Sequence, residues 1–287
     1  MGVKTTVGQV ALRGGSRETQ SNGILVDERA TRLARGRSRG NLYVFVEVGG
    51  THGDRDARAR GLAELVRDVY YAQPGSVTAG LQQALRRANT ALFAENRESL
   101  PGERHTAGIS CAVLRDYNLF IAQAGPTAIL IEHGGQVDRY PDVSPWLDGV
   151  PREEVDAWAL GERHEVNVAL AHVTLGEGDT ILLTGDLLPR LVAPGAWRNL
   201  LSPRPVDAAL EALVAAARGS DLSALIVRTG QETVLADAPD LPPAAGVPTT
   251  RVERDNPQAP PAPGPAETEQ DIDTVQRMGD ASRRAAA

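Results

Sequence analysis

Apolar and polar positions alternate with a period of two along much of the first 230 residues. This alternation is typical of β-strands that bury one face, and short turns rich in glycine, proline or asparagine separate many of the segments. The pattern predicts strands over residues 7–12, 22–26, 42–48, 108–114, 119–124, 127–132, 136–140, 166–173, 180–184 and 223–228. The segments between residues 108 and 140 follow one another so closely that they predict an antiparallel meander.

Three other segments carry apolar residues at helical spacing. They predict amphipathic helices over residues 54–71, 77–99 and 206–218, and the first two are consecutive between the third and fourth strands. Each helix has one apolar stripe, and each strand has an apolar face, that must be buried. An α+β fold of two packed, mostly antiparallel β-sheets flanked by helices would bury all of these surfaces.

The last part of the chain differs in composition. Residues 231–287 are rich in proline and alanine, and they cannot bury enough apolar surface to offset the entropy of ordering. We therefore expect a folded domain over residues 1–230 and a disordered tail over residues 231–287. In the tail, Ile272, Val275 and Met278 lie at helical spacing, which predicts at most a short helix over residues 267–284. The sequence leaves open whether its last residue is a natural terminus.

Charge and cysteine content narrow the range of functions. The 287 residues have a net charge of −7, which argues against nucleic acid as a partner because a phosphate backbone selects a basic surface. The one cysteine, Cys111, excludes an internal disulfide and a thiolate metal cluster. No apolar run approaches the roughly 20 residues of a membrane span, so the sequence predicts no span in this chain and a cytoplasmic location.

Six short motifs follow one another along the folded part. They cover residues 17–22, 46–52, 108–110, 125–128, 178–188 and 220–223. In this order they resemble motifs of the metal-dependent serine/threonine protein phosphatases of the PPM (PP2C-like) family, over about residues 5–229. The segment Gly-Asp-Thr-Ile-Leu-Leu-Thr-Gly-Asp, which ends at Asp186, is the most similar of them. The resemblance implies the same two-sheet fold with helices on the outer faces.

In that family two Mg²⁺ or Mn²⁺ ions lie between the sheets, bridged by aspartates and waters, and one bound water attacks the phosphorus. The resemblance places Asn22, Glu47 and Ser220 where the family has aspartates, and Val48 where it has a glycine. Only Asp186 is unchanged. Hard cations require several anionic oxygen ligands. We therefore expect no stable two-metal site and no cofactor, or at most one Mg²⁺ or Mn²⁺ weakly bound between Glu47 and Asp186.

Other polar residues near these motifs have simpler explanations. Asp54 and Asp56 open the first predicted helix, where acids stabilise the helix dipole, and Asp179 suits the turn before a strand. His52 follows the Gly-Gly turn, which it is expected to stabilise. The sequence leaves open whether Arg17, which matches the family's phosphate-contacting region, binds phosphate or is an ordinary solvated arginine.

A basic segment precedes the third predicted strand of this acidic chain. The segment contains Arg29, Arg32, Arg35, Arg37 and Arg39. It could bind an acidic or phosphorylated protein partner, and the alternative is an ordinary solvated loop. The resemblance, with the family's frame kept and most of its metal-binding acids replaced, implies a catalytically impaired PP2C-like domain, a pseudophosphatase, that acts as a binding, scaffolding or sensing module in phospho-signalling. The alternative is an active Mg/Mn-dependent phosphatase with a rearranged or single-metal site. A purely structural domain tethered through its tail is a third hypothesis.

Overall fold

The computed structural model describes residues 3–18, 21–28, 39–50, 54–202 and 205–230. The strands in these ranges are β1 (Thr5–Arg13), β2 (Ser16–Glu18), β3 (Ile24–Asp27), β4 (Asn41–Gly49), β5 (Thr106–Arg115), β6 (Asn118–Ala124), β7 (Thr127–His133), β8 (Gln136–Tyr140), β9 (Ala169–Thr174), β10 (Thr180–Gly185) and β11 (Leu222–Thr229). The α-helices are α1 (Arg55–Ala72), α2 (Val77–Glu98), α3 (Pro145–Asp148), α4 (Leu187–Leu191), α5 (Trp197–Leu201) and α6 (Val206–Ala216). The predicted tail with its helix over residues 267–284, the basic residues 29–37 and His52 lie outside the described residues.

The strands form two antiparallel sheets. One sheet has the order β2-β1-β11-β10-β7-β8 and the other has the order β3-β4-β5-β6-β9. Buried side chains of α1 and α2 pack on the outer face of the five-stranded sheet, and those of α4, α5 and α6 pack on the six-stranded sheet. A third apolar cluster fills the space between the sheets. The predicted α+β class, with two packed antiparallel sheets flanked by helices, is confirmed.

The alternation along β4 decides which side chains face which layer. Val44 and Val46 pack with the helices, whereas Tyr43 and Phe45 lie in the cluster between the sheets. Successive side chains of a strand point to opposite faces, so the next odd-numbered residue, Glu47, belongs to the face between the sheets. The same period that builds the core therefore aims a carboxylate at the opposite sheet.

The predicted meander over residues 108–140 is wrong, because the chain changes sheets in the middle of it. β5 and β6 form a hairpin in the five-stranded sheet, and β7 and β8 form one in the six-stranded sheet. The crossing occurs at Gly125, which has a φ of 80°. A Cβ on Gly125 would lie 2.5 Å from the carbonyl oxygen of Ala107, so the crossing requires glycine. The spacing of turns in the sequence indicates how short a connection is, but it does not indicate which sheet the next strand joins.

The shortest elements were not predicted from the sequence pattern. β2 has three residues, and α3, α4 and α5 have four or five, which is too few for a period to show. The strand predicted over residues 166–173 begins only at Ala169.

Among the helices of the described ranges, none combines the length and the apolar character needed to cross a membrane.

Candidate functional site

Glu47 lies near the end of β4 on the face that meets the six-stranded sheet. Its carboxylate lies against Gly185, the last residue of β10, so closely that a Cβ on Gly185 would overlap Oε2 of Glu47. Glu47 therefore joins the two sheets where both strands end. A side chain at this position would therefore displace the carboxylate of Glu47.

Asp186 follows Gly185 directly and precedes α4. Its side chain is 18% exposed, and its Oδ1 accepts a hydrogen bond of 3.2 Å from Nη2 of Arg190, one helical turn later. Burial raises the pKa of Asp186, and the positive charge of Arg190 opposes that rise. We refer to Glu47, Gly185, Asp186 and Arg190 as the inter-sheet site.

The electrostatic surroundings of Glu47 are unusual for a carboxylate. Although solvent reaches its side chain, the surrounding protein removes enough hydration to raise the pKa of Glu47 to about 7. The charge of Asp186 raises the pKa further, whereas the charges of Arg13, Arg190 and Arg55 lower it. Near neutral pH Glu47 is therefore only partly ionised, with three guanidinium groups within electrostatic reach.

Sequence reasoning missed these three arginines. Arg13, at the end of β1, forms an ion pair of 2.5 Å with Asp56, which is 43 positions away in the sequence. Nothing local indicates such a pair. The spacing of Arg190 four residues after Asp186 is a local signal that could have been used, because side chains at i and i+4 meet on a helix.

Asn22 accepts a hydrogen bond from an arginine of α1. Nη2 of Arg60, in α1, donates a hydrogen bond to Oδ1 of Asn22. The neighbouring backbone is pressed against β4, because the N–H of Val46 donates to the carbonyl of Gly23 at 2.7 Å. An amide oxygen beside a guanidinium is a poorer ligand for a metal ion, because the two positive charges repel each other.

Val48 and Ser220 are held in other contacts. The side chain of Val48 is buried with α1 and α2 on the helix-facing side of β4, opposite to Glu47. Ser220 lies in the turn between α6 and β11, where its N–H donates to the carbonyl of Ala217 at 2.9 Å. Within the described ranges, no hydrogen bond joins Ser220 to Glu47 or Asp186.

Arg17 is engaged on the outside of the six-stranded sheet. Its Nη1 lies 2.5 Å from Oε1 of Glu211, in α6, and both side chains are at least half exposed. Such exposed pairs are typically worth about 0–1 kcal/mol, so an incoming anion could displace Glu211 at little cost. A phosphate contact by Arg17 stays a prediction. Of the residues singled out in the sequence, the structure thus brings together Glu47 and Asp186.

A cluster of buried polar residues lies beside the inter-sheet site. Thr127 pairs with Gly185 across β7 and β10, and Gly108 pairs with Glu47 across β4 and β5. The hydroxyl of Ser110 donates to Oγ1 of Thr127 at 2.8 Å. Nε2 of Gln123 donates to the carbonyl oxygens of Gly125 and Thr127 at 2.5 and 3.0 Å. The motifs at residues 108–110 and 125–128 therefore place small and hydrogen-bonded residues beside Glu47.

Two nearby acids have the local roles that the sequence predicted. Asp54 caps α1, because its Oδ1 accepts a hydrogen bond of 2.9 Å from the N–H of Ala57. Asp179 closes the turn before β10 by accepting from the N–H of Gly176 at 2.6 Å. Asp179 also bonds to His133 at 2.5 Å, and this contact raises the pKa of the imidazole.

The donor set does not fit a pair of hard cations. Across the described ranges, no three side chains of His, Cys, Asp or Glu are arranged so that they could hold a metal ion. Asp186 is already paired with Arg190, and Glu47 is partly protonated near neutral pH. Two Mg²⁺ or Mn²⁺ ions would need several full carboxylates to offset their mutual repulsion. Binding of one ion between Glu47 and Asp186 stays a prediction.

No protein-family model matches the sequence, and no curated protein matches it. Several solved structures are similar in fold. PppA of Pseudomonas aeruginosa has 18% sequence identity and a TM-score of 0.57, over 79% of this chain and 98% of PppA. The catalytic domain of the serine/threonine protein phosphatase PstP, solved with two manganese ions, has 18% identity and a TM-score of 0.60, over 80% and 99% of the two chains. The serine/threonine phosphatase Stp1 from Staphylococcus aureus has 14% identity and a TM-score of 0.62, over 80% and 97%.

These similarities cover nearly the whole length of each matched chain, and at such low identities they establish the fold alone. The domain has the PP2C-type fold of these serine/threonine phosphatases. This confirms the fold that the six motifs predicted.

Proposed function

We propose that this domain is a catalytically impaired, PP2C-like module that binds a phosphorylated or acidic protein partner in phospho-signalling without hydrolysing it. The observation that carries the proposal is the ion pair between Asp186 and Arg190. Asp186 is the one carboxylate that matches the family's pattern unchanged, and a cation of the chain itself already neutralises it.

The chemistry of the site supports binding over catalysis. Metal-assisted attack of water on phosphorus requires cations that neutralise the charge developing in the transition state, and those cations need anionic ligands. The inter-sheet site has Glu47 at a raised pKa, Asp186 in an ion pair, and Asn22 bonded to Arg60. A second metal ion would have no carboxylate left to hold it.

The arginines around the site suit an anionic partner. Guanidinium groups bind phosphate and carboxylate in a planar, two-pronged geometry. Arg55 is exposed at the start of α1 and acts on Glu47 through its charge. PppA, which has the same fold, is described as a key regulatory component of a T6SS, and this supports a regulatory role by analogy. A cytoplasmic location belongs to the same proposal.

Calorimetric titration with Mn²⁺, together with an assay on p-nitrophenyl phosphate and a panel of phosphopeptides, tests the proposal. We expect no two-site metal binding and no turnover. Turnover that depends on Mn²⁺ and is abolished by Asp186→Asn would instead establish the alternative, an active phosphatase with a single-metal or rearranged site.

The binding part of the proposal has its own test. Arg55→Ala should weaken binding of the best phosphopeptide about tenfold, the scale on which a lost charged contact of about 1.4 kcal/mol appears. Arg87→Ala removes the same charge from an exposed position in the middle of α2 and should leave the affinity unchanged. Equal affinities for both variants would contradict partner binding at this site.

A further inference from the structure

A pocket lies at the corner between α1 and α2, at the opposite end of β4 from Glu47. Its volume is about 670 Å³, and its lining includes Arg39, Arg115, Phe120 and the turn residues 75–78. Arg39 precedes Glu47 by eight positions along nearly continuous strand, which at about 3.3 Å per residue separates the two sites by roughly 25 Å. We refer to this cavity as the corner pocket; it is distinct from the inter-sheet site.

Arg39 contributes an incompletely satisfied cation to the corner pocket. Its Nη1 donates to the carbonyl of Gln73 at 2.6 Å, and its guanidinium lies 4.6 Å from the ring centre of Tyr70. Its Nε and Nη2 are buried in the protein and have no hydrogen-bond partner among the described residues, which leaves this cation incompletely compensated. A Cβ on Gly80 would lie 2.6 Å from Nη2, so the absence of a side chain there makes room for the guanidinium.

Arg115 contributes a second cation, from the end of β5. Its side chain is exposed, and its guanidinium lies 5.6 Å from the ring centre of Phe120. The charges of both Arg39 and Arg115 oppose the rise that burial causes in the pKa of Tyr70, so both act on the same small region. None of the lining residues is acidic, and neither arginine forms an ion pair in the part of the chain that the structure describes.

The first turn of α2 adds hydrogen-bond donors to the same cavity. α2 has 22 residues, and Ser76 caps it by accepting a hydrogen bond of 3.1 Å from the N–H of Ala79. The N–H groups of Val77 and Thr78 have no acceptor within the helix, and the positive end of the helix dipole lies here. Two guanidinium groups and a helix N-terminus thus converge on one cavity of an acidic protein.

We propose that the corner pocket binds the phosphate group of a phosphate monoester. Two arginines and helix N–H groups match the charge and the several acceptor oxygens of such a group. The volume of the cavity exceeds the need of a bare phosphate, and Val77 and Phe120 give an apolar wall for the attached organic part. The phosphate is carried by a phosphorylated side chain of a partner or by a small metabolite. The proposal does not depend on the function of the inter-sheet site.

Titration of the full chain with inorganic phosphate, followed by amide NMR shifts and calorimetry, tests this site directly. We expect saturable shifts at Ser76, Val77 and Thr78. Arg115→Ala should weaken phosphate binding at least tenfold, and because Arg115 is exposed the variant should fold. Arg87→Ala, which removes the same charge from an exposed position in the middle of α2, should leave binding unchanged.

Titration with a phosphoserine peptide and with glycerol 3-phosphate distinguishes a phosphorylated partner from a small metabolite. The compound that represents the natural class of ligand should bind more tightly than inorganic phosphate. Absence of saturable binding in the millimolar range, shifts confined to residues outside the pocket, or equal losses in Arg115→Ala and Arg87→Ala would each overturn the proposal.

Discussion

Two of the predicted site residues, Asp186 and Asn22, each accept a hydrogen bond from an arginine of the chain. Arg190 bonds to Asp186, and Arg60 bonds to Asn22. Because the two guanidinium groups come from different parts of the chain, replacing one arginine leaves the other hydrogen bond in place.

The raised pKa of Glu47 predicts a pH dependence of stability. The folded-state pKa of about 7 is above the ordinary value of 4.5, so the folded state binds this proton more tightly than the unfolded state does. The contribution of Glu47 to stability is thus fully present below about pH 4.5 and is lost as the pH rises through 7. Glu47→Gln removes this loss, while Asp186, Arg13, Arg190 and Arg55 remain.

We expect the free energy of unfolding of Glu47→Gln, measured by urea denaturation, to rise relative to the wild type between pH 4.5 and 7. Since solvent reaches the side chain, the relative gain should be discounted to on the order of 1 kcal/mol. Parallel curves for the two proteins would contradict the raised pKa.

Asn22→Asp tests whether an aspartate alone rebuilds a metal ligand. Arg60 already donates to the side-chain oxygen at this position, so the new carboxylate should form an ion pair with Arg60. We expect a gain of about 0.5 kcal/mol in the free energy of unfolding and no gain in Mn²⁺ affinity, measured by denaturation and calorimetry. In an Arg60→Ala background the stability gain should vanish. Enhanced Mn²⁺ binding by Asn22→Asp alone would contradict the role given to Arg60.

Among the elements and their connections, the connection from β6 to β7 has the strictest requirement for a particular residue type, glycine. It carries the chain from one sheet to the other within two residues, and it lies beside the inter-sheet site through Thr127 and Gly185. Its backbone adopts a positive φ and approaches the strand that contains Ala107. Both constraints act at Gly125, so one glycine controls how the two hairpins are divided between the sheets.

Gly125→Ala should destabilise the protein by more than positive φ alone explains. Gly75 is a matched control, because it also has a positive φ, of 105°, but has open space where a Cβ would lie. We expect Gly75→Ala to cost about 1 kcal/mol of unfolding free energy, the conformational strain alone. Gly125→Ala should cost at least about 2 kcal/mol more, because its Cβ meets a carbonyl oxygen. Similar losses in thermal or urea unfolding would show that the close approach to Ala107 is unimportant.

At the scale of the whole molecule, apolar packing holds the two sheets together and the inter-sheet site lies at their end. Tyr43, Phe45, Ile129 and Leu225 are among the fully buried residues between the sheets. Such a core supplies most of the stability of a domain without help from a bound ion. The fold therefore does not depend on a bound metal ion for most of its stability.

The midpoint of thermal unfolding should accordingly be insensitive to metal. We expect shifts below about 1 °C when 1 mM Mn²⁺ or an excess of EDTA is added, because a ligand raises stability only when its concentration exceeds its dissociation constant. Differential scanning calorimetry at constant ionic strength measures this, with Ca²⁺ as the control for non-specific ionic effects. A rise of several degrees that is specific to Mn²⁺ would reveal a working metal site.

Much of the fold could be predicted because its elements are long and strongly patterned. The core stripes of α1 and α2 and the alternation along β4 each repeat over several turns or residues, and burial of those repeats follows from local sequence. The order and approximate bounds of the long strands follow in the same way. β2, α3, α4 and α5 have too few residues for a repeat, so only packing against the sheets defines them.

The candidate site was predictable only in part. The direction of Glu47 follows from the period of its strand, and Asp186 follows from its place after a buried strand. The partners of these residues do not follow, because Arg13 and Asp56, Asn22 and Arg60, and Arg17 and Glu211 are separated by 43, 38 and 194 positions. Sequence spacing carries no information about such distant pairs.

By itself, therefore, the sequence determined the long elements and their buried faces, because each of these is a property of a short stretch of residues. Only the tertiary structure decided that the chain changes sheets at Gly125, that Glu47 rests against Gly185, and which arginine bonds to which oxygen. These contacts are set by how two sheets close on each other, and that closure depends on the shapes of many distant side chains at once.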